Sequence, residues 1–201
     1  MIRSDWPFGN LRMFKYQTIL ADPPWAYEMR SAKGYAKSPE AHYTTMPLDE
    51  IAALPVADLA APDCYLFMWS TWPHLTDALY VMDMWGFRYI TGGSWTKRTR
   101  NWNVAMGTGY VLRSASEPFL VGKIGRPRPQ SRSVRNVVIA PEAIPDSIEA
   151  VRREHSRKPA QMRELIERLV PDAPRCELFA REPWLGADVW GNQSEHFGAE
   201  G

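Results

Sequence analysis

The residues most suited to chemistry are 22–25, DPPW, which follow directly on the apolar run Gln17–Ala21. Proline has a fixed φ and no N–H, so two consecutive prolines hold the backbone in one path while their carbonyl oxygens remain acceptors. Asp22 adds a carboxylate acceptor, and Trp25 and Tyr27 add flat aromatic faces. Acceptors beside a stacking surface suit a planar substrate that carries an amino group.

Adenine is a substrate of this kind. Its exocyclic amine is a poor nucleophile because the nitrogen lone pair is delocalised into the ring. Two acceptors bound to this amine favour a tetrahedral, attacking nitrogen, which is a state present only near the transition state. With a methyl donor held in line, such a site needs no metal and no strongly tuned base. The alternative is a structural turn, in which Asp22 caps a helix and Trp25 belongs to the core.

The elements that position this corner are short apolar runs separated by helical patterns and by proline and glycine. The predicted strands are Gln17–Ala21, Cys64–Ser70, Tyr89–Thr96, Pro118–Gly122, Val134–Ala140, Cys176–Ala180 and Asp188–Gly191. The predicted helices are Leu48–Leu54, Pro73–Trp85 and Pro159–Leu169. Continuous apolar strands alternating with helices predict an α/β fold, with a mostly parallel central sheet and helices on both faces.

Parallel sheets bind ligands beyond the carboxyl ends of their strands. The loops after the first, second, third and sixth predicted strands are therefore expected to share one rim, with DPPW on it. At the end of the second strand, Trp69 is expected in the core and Trp72 at the rim. Lys97, Arg98 and Arg100 follow the third strand and are candidates for phosphate and base contacts, with a solvated basic loop as the alternative.

Charge is distributed unevenly along the chain. The formal net charge is +1, but Arg88–Arg135 contains ten basic residues and a single acidic one, Glu117. A segment this basic faces phosphates or is a solvated loop, and its charge alone does not distinguish the two.

The remaining composition favours a single domain over residues 1–201 in the cytoplasm. Both cysteines lie in apolar runs, which fits buried thiols in a reducing compartment. The N-terminus has no apolar segment typical of a signal peptide, and no run is long enough to span a membrane. The four histidines and two cysteines lack metal-ligand spacing, so no metal is expected.

The DPPW stretch, together with the rest of the chain from about Tyr16 to Gln193, resembles a known family. The chain is similar to the S-adenosylmethionine-dependent adenine-N(6) methyltransferases typified by the seventy-kilodalton catalytic subunit of the mRNA methyltransferase. The blocks that carry the resemblance, in order, are ILADPPW, HYTTMPLDEI, YLFMWST, the WGF–W–K run at Trp85–Lys97, SEPFLVGKIG, HSRKPAQMRELIERL, CELFAR and WGNQ.

The resemblance implies a Rossmann-like methyltransferase fold with a permuted motif order, in which the main cofactor-binding strand comes late, at CELFA. The cofactor it implies is S-adenosylmethionine. The family's catalytic motif falls on Asp22, Pro23, Pro24 and Trp25. Its cofactor-binding residues fall on Asp22, Lys158, Arg181, Asn192 and Gln193, and Tyr43 lies in the loop that encloses the acceptor base.

Two positions depart from the family pattern. Trp184 stands where the best-studied relatives have an asparagine that contacts the ribose, which puts that contact in doubt. Ala180 stands where glycine is common, and this removes backbone freedom near the ligand.

Three functions follow from the resemblance. The first is methylation of adenine in DNA, which the lack of the zinc-finger extension of the eukaryotic relatives favours. The second is the same reaction on RNA, and the third is a catalytically silent nucleic-acid-binding subunit. The intact DPPW motif and Lys158 argue against the third. A homodimer or a partner subunit is a further expectation from the family.

Overall fold

The computed structural model describes residues 6–26, 45–99, 101–107, 109, 111–141 and 158–191. The strands in this part of the chain are β1 Tyr16–Ala21, β2 Ala60–Trp69, β3 Arg88–Arg98, β4 Ser116–Ile124, β5 Val137–Pro141, β6 Arg175–Leu178 and β7 Asp188–Trp190. The α-helices are α1 Leu48–Ala52, α2 Leu75–Met84 and α3 Gln161–Leu169, and short 3-10 helices span Val56–Leu59 and Trp72–His74.

All seven predicted strands and all three predicted helices are confirmed, with shifted ends. The helix predicted from Pro73 begins as the 3-10 turn Trp72–His74 and becomes α-helical only at Leu75. In α3, Met162, Leu165 and Ile166 recur at helical spacing and are buried, as their apolar character requires.

The strands form one sheet in the order β5-β3-β4-β2-β1-β6-β7. β4 pairs antiparallel with β2 and with β3, whereas all the other pairs are parallel. The sheet is therefore mostly parallel, as predicted, with one reversed strand near its middle. The reversal brings the start of β4, Ser116 and Glu117, to the end of the sheet at which the other strands have their carboxyl ends. This end of the sheet is called the rim below.

Two apolar clusters cover the two faces of the sheet. Consecutive residues of β1 point to opposite faces, and Ile19 belongs to one cluster while Leu20 belongs to the other. The first cluster includes buried residues of α1 and α2, and the second includes those of α3. This packing fixes the start of α3 relative to the end of β1. None of the helices in the described part of the chain is long and apolar enough to cross a bilayer.

Candidate active site

The DPPW corner leaves the sheet at the end of β1. The Trp25 N–H donates to the Pro23 carbonyl at 2.9 Å, and the Met46 N–H donates to the Pro24 carbonyl at 3.0 Å. Each carbonyl oxygen has two lone pairs, so each can accept one further hydrogen bond. The corner is fixed by its own hydrogen bonds as well as by the prolines.

Trp25 anchors this corner to the core. Its side chain is only 6% exposed, its indole N–H donates to the Trp69 carbonyl at 3.3 Å, and its ring stacks on His74 with centroids 5.9 Å apart. The expectation of an open aromatic face for a substrate therefore does not describe Trp25 in this structure. The burial favours a role in holding Asp22 and the prolines in place.

A chain of ion pairs crosses the rim next to Asp22. The Lys158 ammonium lies 3.0 Å from Asp22 and 3.5 Å from Glu117, and the Lys97 ammonium lies 2.7 Å from the other oxygen of Glu117. Burial alone would raise the pKa of Glu117, but the attraction of Lys158 and Lys97 outweighs it and lowers the pKa below its usual range. The segments that end β1 and β3, start β4 and precede α3 are thus joined by charge.

Glu117 is one of the site residues that sequence reasoning missed. Its signal was present, because Glu117 is the single acid among the ten basic residues of Arg88–Arg135. Its position at the rim follows only from the reversed direction of β4, which apolar patterning does not specify.

A cavity opens at the rim beside this chain of charges. It spans about 430 Å³ of space, a volume that includes open solvent. Its lining is Leu20, Asp22, Trp69, Lys158, Pro159, Met162, Arg163, Glu177, Phe179, Arg181 and Glu182. The lining includes three carboxylates and three cationic side chains, so it offers both signs of charge to a ligand.

Arg163 of α3 stabilises the part of the cavity lining that contains Glu177 and Glu182. Its guanidinium donates to Glu177 at 2.9 Å, to Glu182 at 3.1 Å and to the Pro183 carbonyl at 3.1 Å. Burial raises the pKa of Glu177 to about 7, although the neighbouring Arg163 acts in the opposite direction. One side chain thus ties α3 to β6 and to the loop that carries Arg181.

The loop after β6 turns sharply. Phe179 has φ of 61°, a left-handed conformation that costs energy for a side chain of this size. Ala180 follows it without a positive φ, so alanine in place of glycine causes no backbone strain here. A Cβ on Gly191 would collide with the Ala180 backbone, and glycine is therefore required where the WGNQ block passes this loop.

Trp184 packs into the core and does not line the cavity. Its indole N–H donates to Glu167 at 2.7 Å, and its ring lies close to the guanidinium carbons of both Arg163 (5.6 Å) and Arg175 (5.8 Å). The ribose contact that the family's asparagine makes therefore has no counterpart in Trp184.

The predicted substrate contacts have mixed outcomes. Trp72 is 51% exposed at the rim, and its indole N–H is bound to Ser116. Lys97 is mostly buried against Glu117, and Arg98 donates to the Trp102 carbonyl at 3.1 Å. Both cations thus have partners inside the protein. Five predicted site residues lie outside the described residues: Tyr27, Tyr43, Arg100, Asn192 and Gln193.

No group of three or more histidine, cysteine, aspartate or glutamate side chains in the described part of the chain is arranged to hold a metal ion. Both cysteines are buried, and burial raises the pKa of each thiol well above its usual range.

The DPPW corner, the lysine beside it and the cavity lie at the carboxyl rim of an α/β sheet, which is where sheets of this kind bind ligands. Residues 16–193 match the family model MT-A70. The chain belongs to the MT-A70 family of S-adenosylmethionine-dependent adenine-N(6) methyltransferases.

Individual relatives support this placement. The chain is similar to the type II methyltransferase M.MunI of a Mycoplasma species, at 34% identity over 93% of this chain and 81% of that protein. It is 30% identical to an N(6)-adenosine-methyltransferase MT-A70-like protein of Arabidopsis thaliana and 28% identical to the human N(6)-adenosine-methyltransferase catalytic subunit METTL3. The chain spans about a quarter of the length of these last two, 24% and 26%.

The side chains of the cavity fit S-adenosylmethionine. This cofactor carries a carboxylate, an ammonium group and ribose hydroxyls. The cavity offers the Lys158 ammonium for a carboxylate, the Asp22 carboxylate for an ammonium group, and Glu177 and Arg181 as hydrogen-bonding groups for hydroxyls.

The ion-pair chain gives a prediction for Glu117. Its lowered pKa means that its charged form stabilises the fold above the unfolded pKa and that this stabilisation is lost as pH falls. Glu117→Gln should therefore cost about 2–4 kcal/mol of unfolding free energy at pH 7, and less below about pH 4. Urea unfolding at pH 7 and at a pH below about 4 tests this. Glu164→Gln, on the exposed side of α3, is the control. A cost independent of pH would contradict it.

Arg163 gives a prediction in which stability is lost as pH rises, whereas for Glu117 it is lost as pH falls. The folded-state pKa of Glu177, about 7, lies above the ordinary value, so its burial costs stability as pH rises. Arg163→Met should raise that pKa further, and the loss of stability should be about 2 kcal/mol larger at pH 8.5 than at pH 6. Thermal or urea unfolding at both pH values measures it. The exposed Arg168→Met is the control, and adding Glu177→Gln to Arg163→Met should remove the pH dependence.

Proposed function

We propose that this protein transfers a methyl group from S-adenosylmethionine to the N(6) amine of adenine in DNA. The observation that carries the proposal is the pairing of Asp22 and Lys158 at 3.0 Å on the wall of one cavity, beside the fixed DPPW corner. It brings an acceptor for the adenine amine next to a cation for the cofactor carboxylate.

The topology supports a Rossmann-like methyltransferase fold with a permuted motif order. DPPW follows β1, whereas CELFA forms β6 late in the chain, and β6 pairs directly with β1. The two motifs are therefore neighbours at the rim although they are far apart in sequence. We include residues 1–201 in this single methyltransferase domain.

Each site residue has a proposed role. Lys158 binds the carboxylate of the cofactor, Arg181 contacts its ribose, and Asn192 and Gln193 contact its ribose and adenine. When bound, S-adenosylmethionine supplies an electrophilic methyl group. The Asp22 carboxylate and a prolyl carbonyl of the corner accept hydrogen bonds from the adenine amine. These bonds strengthen as the nitrogen becomes tetrahedral, so they stabilise the transition state more than the ground state.

DNA is the proposed substrate because of how far the relatives match. The type II methyltransferase aligns over 81% of its own length, whereas the N(6)-adenosine-methyltransferases align over about a quarter of theirs. In duplex DNA the target adenine must leave the stack, at a cost of a few kcal/mol. Tyr27, Tyr43, Trp72 and Arg100 are the proposed contacts that hold it and the adjoining phosphates.

RNA is the second candidate, since unpaired adenines avoid most of the cost of unstacking. The intact corner and Lys158 argue against a catalytically silent subunit. A homodimer or a partner subunit, and a location in the cytoplasm, remain predictions.

Asp22 provides the direct test of the chemistry. Asp22→Ala should abolish methyl transfer to adenine-containing DNA and leave the fold largely intact, because the side chain lies outside the core clusters and Lys158 keeps Glu117 as a partner. Transfer of a radiolabelled methyl group to matched duplex DNA, single-stranded DNA and RNA is the measurement, with the exposed Asp49→Asn as the control. Activity retained by Asp22→Ala would refute the role of this carboxylate, and preference for RNA would favour the second candidate.

Lys158 tests the cofactor site separately. Lys158→Ala should weaken S-adenosylmethionine binding at least tenfold, because the variant cannot form the charge-assisted hydrogen bond to the carboxylate. Calorimetric titration measures the dissociation constant, and Lys123→Ala at the other end of β4 is the matched control. An unchanged dissociation constant for Lys158→Ala would contradict the assignment.

A further inference from the structure

The direction of β4 divides the basic segment Arg88–Arg135 between two ends of the sheet. β3 ends at the rim with Lys97 and Arg98, and β4 begins there and runs back. The connection from β4 to β5 therefore lies at the opposite end of the sheet, about 25 Å from the rim along β4. Residues 125–136, here called the arginine loop, form this connection.

The arginine loop has the sequence GRPRPQSRSVRN and contains no acidic residue. Its four arginines, Arg126, Arg128, Arg132 and Arg135, are all exposed. No carboxylate in the described part of the chain forms an ion pair with any of these four guanidinium groups. The rim is different, because its lysines are compensated by Asp22 and Glu117.

The loop is held in place by groups other than its guanidinium groups. The Tyr65 hydroxyl donates to the Pro127 carbonyl at 2.9 Å, and the Gln130 N–H donates to the carbonyl of Leu169 at 2.8 Å. The backbone N–H of Arg126 donates to Asp63 at 2.6 Å. Two prolines further restrict the backbone. The four charges are thus presented on a fixed backbone, so binding a polyanion requires little ordering of the main chain.

We propose that the arginine loop is a second phosphate-binding surface, which binds the polynucleotide at a distance from the target adenine. This proposal rests on the proposed function, since it assigns a further surface to the same nucleic acid. Four exposed guanidinium groups, none of them ion-paired within the described part of the chain, match the regular negative charge of a phosphate backbone, and arginine binds phosphate in a bidentate manner. Binding here is independent of sequence, so the loop contributes affinity and leaves the choice of adenine to the rim.

The separation of the two surfaces predicts a dependence on substrate length. A duplex rises about 3.4 Å per base pair, so at least about seven base pairs are needed to reach from the rim to the loop. A 30-base-pair duplex contacts both surfaces, whereas a six-nucleotide strand centred on the target adenine contacts the rim alone. The loop should therefore affect binding of the long substrate and leave methyl transfer to the short one unchanged.

The test is a variant in which all four arginines of the loop are changed to glutamine. Its affinity for a labelled 30-base-pair duplex is measured by fluorescence anisotropy between 50 and 200 mM salt. The slope of log K against log salt should be shallower than that of the unaltered protein by about 0.9 for each phosphate that the variant no longer neutralises, or about 3–4 in total. Arg128→Gln alone should make the slope shallower by about 0.9. Arg12→Gln, which removes the same charge at an exposed position before β1, should leave the slope unchanged.

Each outcome supports or overturns the proposed surface. A slope that stays the same in the four-arginine variant overturns the proposal. So does binding of phosphatidylserine vesicles that is tighter than binding of DNA and is abolished in the variant, because the loop would then serve a lipid surface. If the unaltered protein methylates no nucleic acid but the slope still falls, the proposed function fails and the phosphate surface stands. If it methylates DNA and the slope is unchanged, the surface fails and the function stands.

Discussion

The contact of Lys158 with both Asp22 and Glu117 is the constraint on which the rim depends. Charges withdrawn from water destabilise a fold unless opposite charges compensate them, and removing one partner leaves the other uncompensated. Here two carboxylates and two ammonium groups come from the ends of β1, β3 and β4 and from the residue before α3. Their compensation fixes these four segments relative to one another. A ligand carboxylate that binds Lys158 would compete with Asp22 for the same charge, which couples cofactor binding to the freedom of the Asp22 carboxylate.

The sequence was sufficient to locate the strands and helices. It was not sufficient to predict the direction of each strand or the contacts between residues that are distant in sequence. Apolar runs locate the seven strands because each strand must bury a side-chain row, and DPPW is recognisable because prolines fix their own backbone. The reversal of β4 is not encoded in its apolar run, since parallel and antiparallel strands bury the same residue types. Glu117 and Arg163 were missed for a related reason: their partners lie on other elements, and only the folded chain brings them together. Trp25 shows the converse, because its aromatic character indicated a substrate face whereas packing placed it in the core.

The two ends of the sheet differ in how charge is used. At the rim, positive charges are paired with carboxylates beside a partly enclosed cavity. Electrostatic interactions with a small ligand are stronger there than in bulk water. At the opposite end, the arginine loop keeps its charges in solvent, where they act through their number and are weakened by salt. Sequence-independent binding of the backbone, as proposed for the arginine loop, and binding of one base at the DPPW corner are different tasks. They would fall to loops at opposite ends of the sheet, after β4 and after β1 respectively.

The most direct test of the central claim is a crystal structure of the protein with S-adenosylhomocysteine, the demethylated form of the cofactor. The account predicts that its carboxylate lies within hydrogen-bond distance of the Lys158 ammonium in the rim cavity, and that its sulfur faces the DPPW corner. Density for the ligand at another site, or in this cavity without a contact to Lys158, would contradict the account.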